Sequence, residues 1–223
     1  RALGHRSILA DPRKKGLVRF INEHVKKRES FRPFAPSVLT EHASEWFETE
    51  KYRDDNFSPF MSLTAIVKKG KRARIPAVTH VDGSSRLQTV TKEDEPLYHK
   101  LITKFFDLTG VPMVLNTSFN TLPGEPIVES PQDAIRSFLC SMGSIEMLVM
   151  GDYVIKRKKA DLRALLGETD TREQAFMVEP ACPKRAGPTT FETTFEADED
   201  VMDESEIITT TRVRMPDRPM HSD

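Results

Sequence analysis

Val111-Pro112-Met113-Val114-Leu115-Asn116-Thr117-Ser118-Phe119-Asn120 is the stretch that decides the fold class. Val111, Met113, Val114 and Leu115 make an apolar run of strand length, opened by Gly110 and Pro112. Asn116, Thr117, Ser118 and Asn120 then follow within five positions. Such short polar side chains hydrogen-bond locally and favour turns over ladders. The stretch therefore reads as a buried strand running into a polar loop. In open α/β sheets ligands bind just beyond the carboxyl ends of strands. That makes the loop a candidate lip of a small-molecule site, with an ordinary strand-to-loop turn as the competing reading.

Working outward, Glu93–Leu108 has the period of an amphipathic helix, with Leu97, Leu101, Ile102, Phe105 and Phe106 on one face and Thr109-Gly110 as its stop. Downstream, Pro123-Gly124-Glu125-Pro126 is a turn and Ile127-Val128 a short strand. Ser130-Pro131 opens a helix to about Met142, with Asp133 in its first turn and Cys140 as a small core residue. Ile145–Ile155 alternates as one or two strands, and Ala160–Leu166 adds a short helix. Upstream, Ala35–Leu39 reads as a strand. Glu41–Glu48 reads as a short helix capped by Thr40 and anchored by Trp46 and Phe47. Residues 49–59 are a polar loop, Phe60–Val67 a strand and Lys68–Arg74 a charged turn. In Ile75–Val90, Thr79, Val81, Leu87, Thr89 and Val90 favour strand about a turn at Asp82-Gly83.

The 223 residues are 38% apolar and 30% charged, with net charge −1, a soluble globular profile. No run of about 18 apolar residues occurs, so no membrane span is expected. Near-neutral charge argues against a dedicated nucleic-acid binder. Cys140 and Cys182 stand far apart with no C-x-x-C pattern. Neither a disulfide framework nor a zinc site is expected, and a reducing, cytoplasmic location fits. The chain starts at Arg1 inside dense motif-like sequence, which reads as a fragment with sequence upstream. After Gly167 periodicity is lost. Residues 161–223 hold an acidic run from Glu196 to Glu206 and read as a disordered tail, with a possible hairpin in the Thr-rich stretch 189–194.

Residues 1–34 carry ten cations against three acids. Asp11-Pro12 is a helix entry and Leu17–Val25 gives a helical stripe. Then Lys26, Lys27, Arg28 and Arg32 crowd a segment that Pro33 and Pro36 prevent from continuing as helix. A solvated basic face is one reading. Interleaved Phe31, Phe34 and Pro36 support the other, a segment pinned to a core that presents a phosphate clamp. His80 and Asp82 form an H-x-D pair, either metal ligands or the polar residues of a hairpin. Arg86, just past the turn, is either a surface arginine or a ligand clamp.

Four motifs, Arg1–Arg13, Lys26–Leu39, Thr79–Val90 and Asn116–Asn120, occur in an order that resembles the carboxyl-terminal domain of the NodU/CmcH carbamoyltransferase family. The resemblance covers about residues 1–160 and implies a YrdC-like α/β fold: a twisted open mixed sheet with flanking helices, followed by a largely irregular tail. It implies binding of ATP, Mg²⁺ and carbamoyl phosphate and formation of carbamoyl-adenylate. A separate amino-terminal, metal-containing transferase domain, outside this chain, would then pass the carbamoyl group to a hydroxyl of a small-molecule acceptor. By the same resemblance, Lys26, Arg32 and Arg86 are the catalytic cations. Arg1, Arg28, Asn116, Thr117 and Ser118 would bind substrate or nucleotide, and this domain holds no metal of its own. His5 departs from the Asn common at its position. A nucleotide- or RNA-binding YrdC-like module related to threonylcarbamoyl-adenylate synthases is the alternative.

The chemistry is consistent with that residue set. Joining a carbamate oxygen to the α-phosphate of ATP brings anions together, and each like-charge pair at about 4 Å costs roughly 4 kcal/mol at an effective dielectric near 20. Arginine forks bind phosphate oxygens in pairs and lysine adds a point charge. The substrate is itself the nucleophile, so no Ser-His-Asp or Cys-His arrangement is required. Positioning and charge stabilisation carry the reaction.

Overall fold

The computed structural model describes residues 2–52, 54–157 and 208–212. Arg1, the expected helix at 160–166, the Thr-rich stretch and the acidic run lie outside the described residues. The chain divides into two compact units, Arg1–Glu129 and Ser130–Asp223.

The first unit is built in the order β1 (Ser7–Ala10), α1 (Leu17–Phe20), β2 (Ala35–Leu39), α2 (Ala43–Trp46), β3 (Phe47–Glu48), β4 (Leu63–Val67), β5 (Ser84–Val90), α3 (Pro96–Thr109) and β6 (Met113–Ser118). Its six strands form one mixed sheet in the order β1-β6-β2-β5-β4-β3. β6 runs antiparallel to both β1 and β2, β2 and β5 are parallel, and β4 is antiparallel to β5. The α/β class and the mixed sheet with flanking helices are as expected. Alternation along β2, β5 and β6 turns Leu39, Val90 and Val114 toward α3, where they pack with Tyr98 and Ile102. Val38, Leu87 and Met113, one residue out of phase, are also fully buried, so the sheet is covered on both faces.

Several local expectations are corrected. Asn116, Thr117 and Ser118 belong to the strand, not to a loop. Asn116 is paired on both edges, with Leu9 and Ala35, and Thr117 and Ser118 continue the ladder on one edge with Ile8 and Ser7, which outweighs their turn preference. β4 starts at Leu63 rather than Phe60. The Ser58 hydroxyl accepts the N–H groups of Ser62 and Leu63, and Met61 adopts φ 57°, which no extended strand allows. Thr40 caps nothing through its side chain; its hydroxyl is buried without a partner among the described residues. Residues 76–78 form a 3₁₀ turn instead of the first arm of a hairpin, because both edges of β5 are already taken by β2 and β4. Ile127-Val128 makes one backbone bond, Val128 N to Phe119 O, and no strand. On α3 the buried side chains are Tyr98 and Ile102, whereas Leu97 and Leu101 are exposed.

In the second unit, α4 (Pro131–Cys140) starts at a capping box: Ser130 Oγ accepts the Asp133 N–H, and the Asp133 carboxylate accepts the Ser130 N–H. Where one or two strands were expected over 145–155, β7 (Met147–Met150) and β8 (Tyr153–Arg157) form an antiparallel pair. β9 (Ile208–Arg212) adds a third antiparallel strand on β8, drawn from the region read as tail. Cys140, read as a small core residue in a chain where no disulfide framework was expected, is disulfide-bonded. Spacing along the chain carries no information on the Cα approach that a disulfide requires. Among the described residues no helix is long and apolar enough to cross a membrane.

Candidate functional site

Topology brings the four motifs to one end of the first sheet. β1, β2 and β5 begin there, and β6, antiparallel to β1 and β2, ends there. Residues 2–7, the segment 26–34, Arg86 and Asn116–Asn120 thus converge from positions spread over about half the chain.

The floor is a buried polar row in otherwise apolar strands. Ser37 Oγ donates to Gln88 Oε1 at 2.6 Å. Asn116 Nδ2 lies within hydrogen-bond distance of Ser37 Oγ (2.8 Å), Gln88 Oε1 (3.0 Å) and the Tyr98 hydroxyl (3.2 Å). Ser37, Gln88 and Asn116 are at most 2% exposed. Burial pushes the Tyr98 phenol far up, so it stays protonated. Asn116 Oδ1 is buried with no partner among the described residues, an orphaned acceptor at the centre of the row. Gln88 Nε2 donates to the Leu3 carbonyl at 3.1 Å, tying the first motif to this floor. Gly4, at φ 96°, lies flat against Tyr98, and a Cβ there would sit 2.4 Å from the ring. Only glycine fits that approach.

Lys26 sits where the helix ends. The stretch Ile21–Val25 continues α1 as a π-turn, Lys26 N donates to Ile21 O, and Lys27 closes the end at φ 46°. The Lys26 ammonium is surrounded by four oxygens: Ser118 O (2.7 Å), Ser118 Oγ (3.1 Å), Asn120 O (2.9 Å) and Asn120 Oδ1 (2.7 Å). Its three hydrogens are fully engaged. Burial, then the charges of Arg28 and Arg32, push its pKa down to about 8. Lys26 therefore holds the Ser118–Asn120 corner from beneath; its ammonium is not presented as a free point charge.

Arg28 and Arg32 are different. Arg28 Nε donates to Asn22 Oδ1 at 2.7 Å, and its guanidinium lies 4.9 Å from the centre of the Phe34 ring. Burial and the Arg32 charge lower its pKa. Arg32 is exposed, with one loose contact to Glu29 at 3.7 Å. Arg86 stands on β5 opposite Thr64, exposed, and among the described residues its side chain has only a 3.9 Å contact to Met61 Sδ. It shares the sheet face of Gln88 and reaches the end of β6 from two strands away, about 10 Å at the usual strand spacing. Thr117 pairs with Ile8 and alternates to the face opposite Asn116 and Ser118. Arg1 lies outside the described residues.

The H-x-D pair does not act as a pair. His80 Nε2 lies 3.3 Å from Phe34 O and Nδ1 lies 3.3 Å from Ser84 Oγ, while Asp82 Oδ1 accepts the Ser84 N–H. His80 thereby ties the basic segment to the turn before β5. Among the described residues no group of three or more His, Cys, Asp or Glu could hold a metal ion. Asn22, Ser37, Gln88 and Tyr98 were not singled out from sequence. Ser37 and Gln88 carried a readable signal: a polar residue in the middle of an apolar strand requires a buried partner.

The family model described as Carbamoyltransferase C-terminus matches residues 1–157. The chain is 50% identical over 160 residues to nodulation protein NolNO of Sinorhizobium fredii, covering 72% of this chain and 23% of that protein. It is 47% identical over 163 residues to nodulation protein NolO of Bradyrhizobium diazoefficiens, covering 73% and 29%. Nodulation protein U of Azorhizobium caulinodans is 38% identical over 122 residues, covering 55% and 21%. The chain thus spans about a quarter of the length of these relatives. A match over that span, with all four motifs gathered at one end of one sheet, shows that the chain belongs to the carbamoyltransferase C-terminal family.

Proposed function

We propose that this chain carries the adenylation half of an O-carbamoylation reaction. Carbamoyl phosphate loses phosphate to water, leaving carbamate. A carbamate oxygen then attacks the α-phosphorus of ATP, forming carbamoyl-adenylate and expelling pyrophosphate. A transferase domain outside this chain passes the carbamoyl group to a hydroxyl of a small-molecule acceptor.

What supports this reading is the combination of open arginine forks with a rigid polar corner. Arg28, Arg32 and Arg86 are the anion-binding groups, each with terminal nitrogens that donate to no oxygen of the sheet. Lys26 fixes the Ser118–Asn120 corner against which the reacting groups are aligned. Asn116 Oδ1 is an acceptor in search of a donor, and an amino group on the substrate is one chemistry that satisfies it. Among the described residues the site offers cations, amides and hydroxyls without a carboxylate cluster, which fits Mg²⁺ carried by the nucleotide phosphates rather than caged by protein. Bound there, Mg²⁺ would neutralise phosphate charge.

The test is release of pyrophosphate from ATP and Mg²⁺, with and without carbamoyl phosphate. Release that requires carbamoyl phosphate is the expected result. Release driven instead by threonine and bicarbonate would move the chain to the threonylcarbamoyl-adenylate class. ATP binding without release, in the full-length protein as well as in this chain, would overturn the adenylation reading.

A further inference from the structure

Asn22 is fully buried in the π-turn that leads into the basic segment. Its Nδ2 donates to Arg32 O at 2.8 Å and to Ser30 O at 3.2 Å. Its Oδ1 accepts Arg28 Nε at 2.7 Å, and its backbone carbonyl accepts the Arg28 N–H at 2.9 Å. One carboxamide thus uses both hydrogens and its oxygen to fix three points of the segment 28–32. Segment 28–32 has no helix or strand of its own, so no ladder would hold it without such side-chain bonds.

The geometry at Arg28 has a direction. A guanidinium is planar, so fixing Nε and laying the plane near the Phe34 ring leaves little freedom for the two terminal nitrogens. Those nitrogens donate to no acceptor among the described residues. The fork is therefore aimed before any anion arrives, and less freedom is lost when one binds.

We propose that Asn22 is the positioning residue that presents the Arg28 fork to a phosphate-bearing substrate. This rests on reading the segment as the anion clamp of the proposed adenylation site. A merely structural Asn22 would lower the melting temperature and leave anion affinity unchanged in the folded protein.

The experiment is a double-mutant cycle on affinity, with ATP and carbamoyl phosphate titrated calorimetrically into the wild-type chain, Asn22→Ala, Arg28→Ala and the double variant, each well below its melting temperature. Arg28→Ala is expected to weaken binding of at least one of the two by about 10- to 100-fold, as for loss of a charged hydrogen bond. Asn22→Ala is expected to weaken the same ligand by about tenfold. The double variant should then be no weaker than Arg28→Ala alone, because Asn22 acts through Arg28. Additive losses, or an Asn22→Ala variant with wild-type affinity and a lowered melting temperature, would overturn the positioning role while leaving the clamp intact. Wild-type affinity in Arg28→Ala, or no binding of either anion by the wild-type chain, would overturn the clamp reading and the positioning role with it. If Asn22→Ala does not fold, Asn22→Leu, which keeps length and branching but has no polar atom, carries the same cycle.

Discussion

The two halves of the candidate site are built on different principles. The floor, Ser37, Gln88 and Asn116, stands on three adjacent strands whose ladders fix every Cα. The rim, Lys26 to Arg32, has no ladder and depends on single side chains, Lys26 gripping the far corner, Asn22 gripping the segment itself and His80 meeting its end at Phe34 O. Redundant support makes the floor tolerant of losing one polar atom. Single-point support makes the rim sensitive to losing one side chain. Within the rim a second contrast holds: the Lys26 ammonium is saturated by four oxygens, whereas the terminal nitrogens of Arg28, Arg32 and, across the sheet, Arg86 make no close hydrogen bond to an oxygen among the described residues, which is why the proposed anion site rests on them.

The largest effect expected is at Arg86, and it should be purely functional. Arg86→Ala should lower turnover for pyrophosphate release on the order of 10²–10³-fold, as for one preorganised donor. Its stability should stay within about 0.5 kcal/mol, because the side chain is exposed and bonds only loosely to Met61. Wild-type turnover would remove Arg86 from the site.

Lys26→Met should show the opposite signature, a structural loss. Four oxygens of Ser118 and Asn120 would face an apolar chain, at a cost of about 3 kcal/mol, read from urea melts. A loss below about 1 kcal/mol would mean that water replaces the ammonium and the corner is not held from beneath.

The protonation of Lys26 sharpens this further through a pH profile. Its pKa when folded, about 8, lies below the ordinary lysine value of 10.5. Between those values the unfolded chain binds more protons, so this group's contribution to stability rises with pH. Over the same range the ammonium is lost and the corner loosens, so ATP affinity should fall. Comparing wild type with Lys26→Met from pH 7 to 10 by melting and by ATP titration should show wild type gaining relative stability while losing affinity. Parallel trends would contradict the assignment.

How much of this was legible in the sequence follows from the same distinction. The strand β2 was readable to the residue, because a short apolar run bounded by Pro33-Phe34 and Thr40 leaves few alternatives. The crowding of Lys26, Lys27, Arg28 and Arg32 into one short segment before Pro33 was readable, and the proposed anion clamp rests on it. The role of Lys26 was not. Its partners lie 92 and 94 residues away, and nothing local distinguishes a lysine that will be saturated from one that will be free. The polar end of β6 was misread for a related reason: turn preference is local, whereas the two strands flanking it are not. Gly4 was part of a recognised motif, yet its reason, the face of Tyr98, exists only in three dimensions.

The floor offers a weaker test. Asn116 Nδ2 has two hydrogens and three acceptors within 3.2 Å, so one acceptor is surplus. Tyr98→Phe removes the most distant of them and should cost about 1 kcal/mol or less by urea melts. A loss of 3 kcal/mol would show that the phenol, not the strand ladder, organises the row.

The smallest effect should be a gain. Lys27 occupies the left-handed region at φ 46°, at the end of the helix, where glycine is the usual residue. Its side chain is exposed, and no bond of its own explains the strain. Lys27→Gly relieves the backbone and adds freedom to the unfolded chain, two terms of opposite sign that should leave a net gain of about 0.5 kcal/mol. Melting and ATP titration together make this informative about the rim. A stabilised variant with unchanged affinity confines the clamp to Arg28 and Arg32, with the strain at residue 27 as the local consequence of turning the chain between Lys26, which faces the corner, and Arg28, which faces Asn22. A stabilised variant with several-fold weaker ATP binding would instead place the Lys27 charge in the clamp, and the strained backbone would then be retained because a cation is needed at that turn.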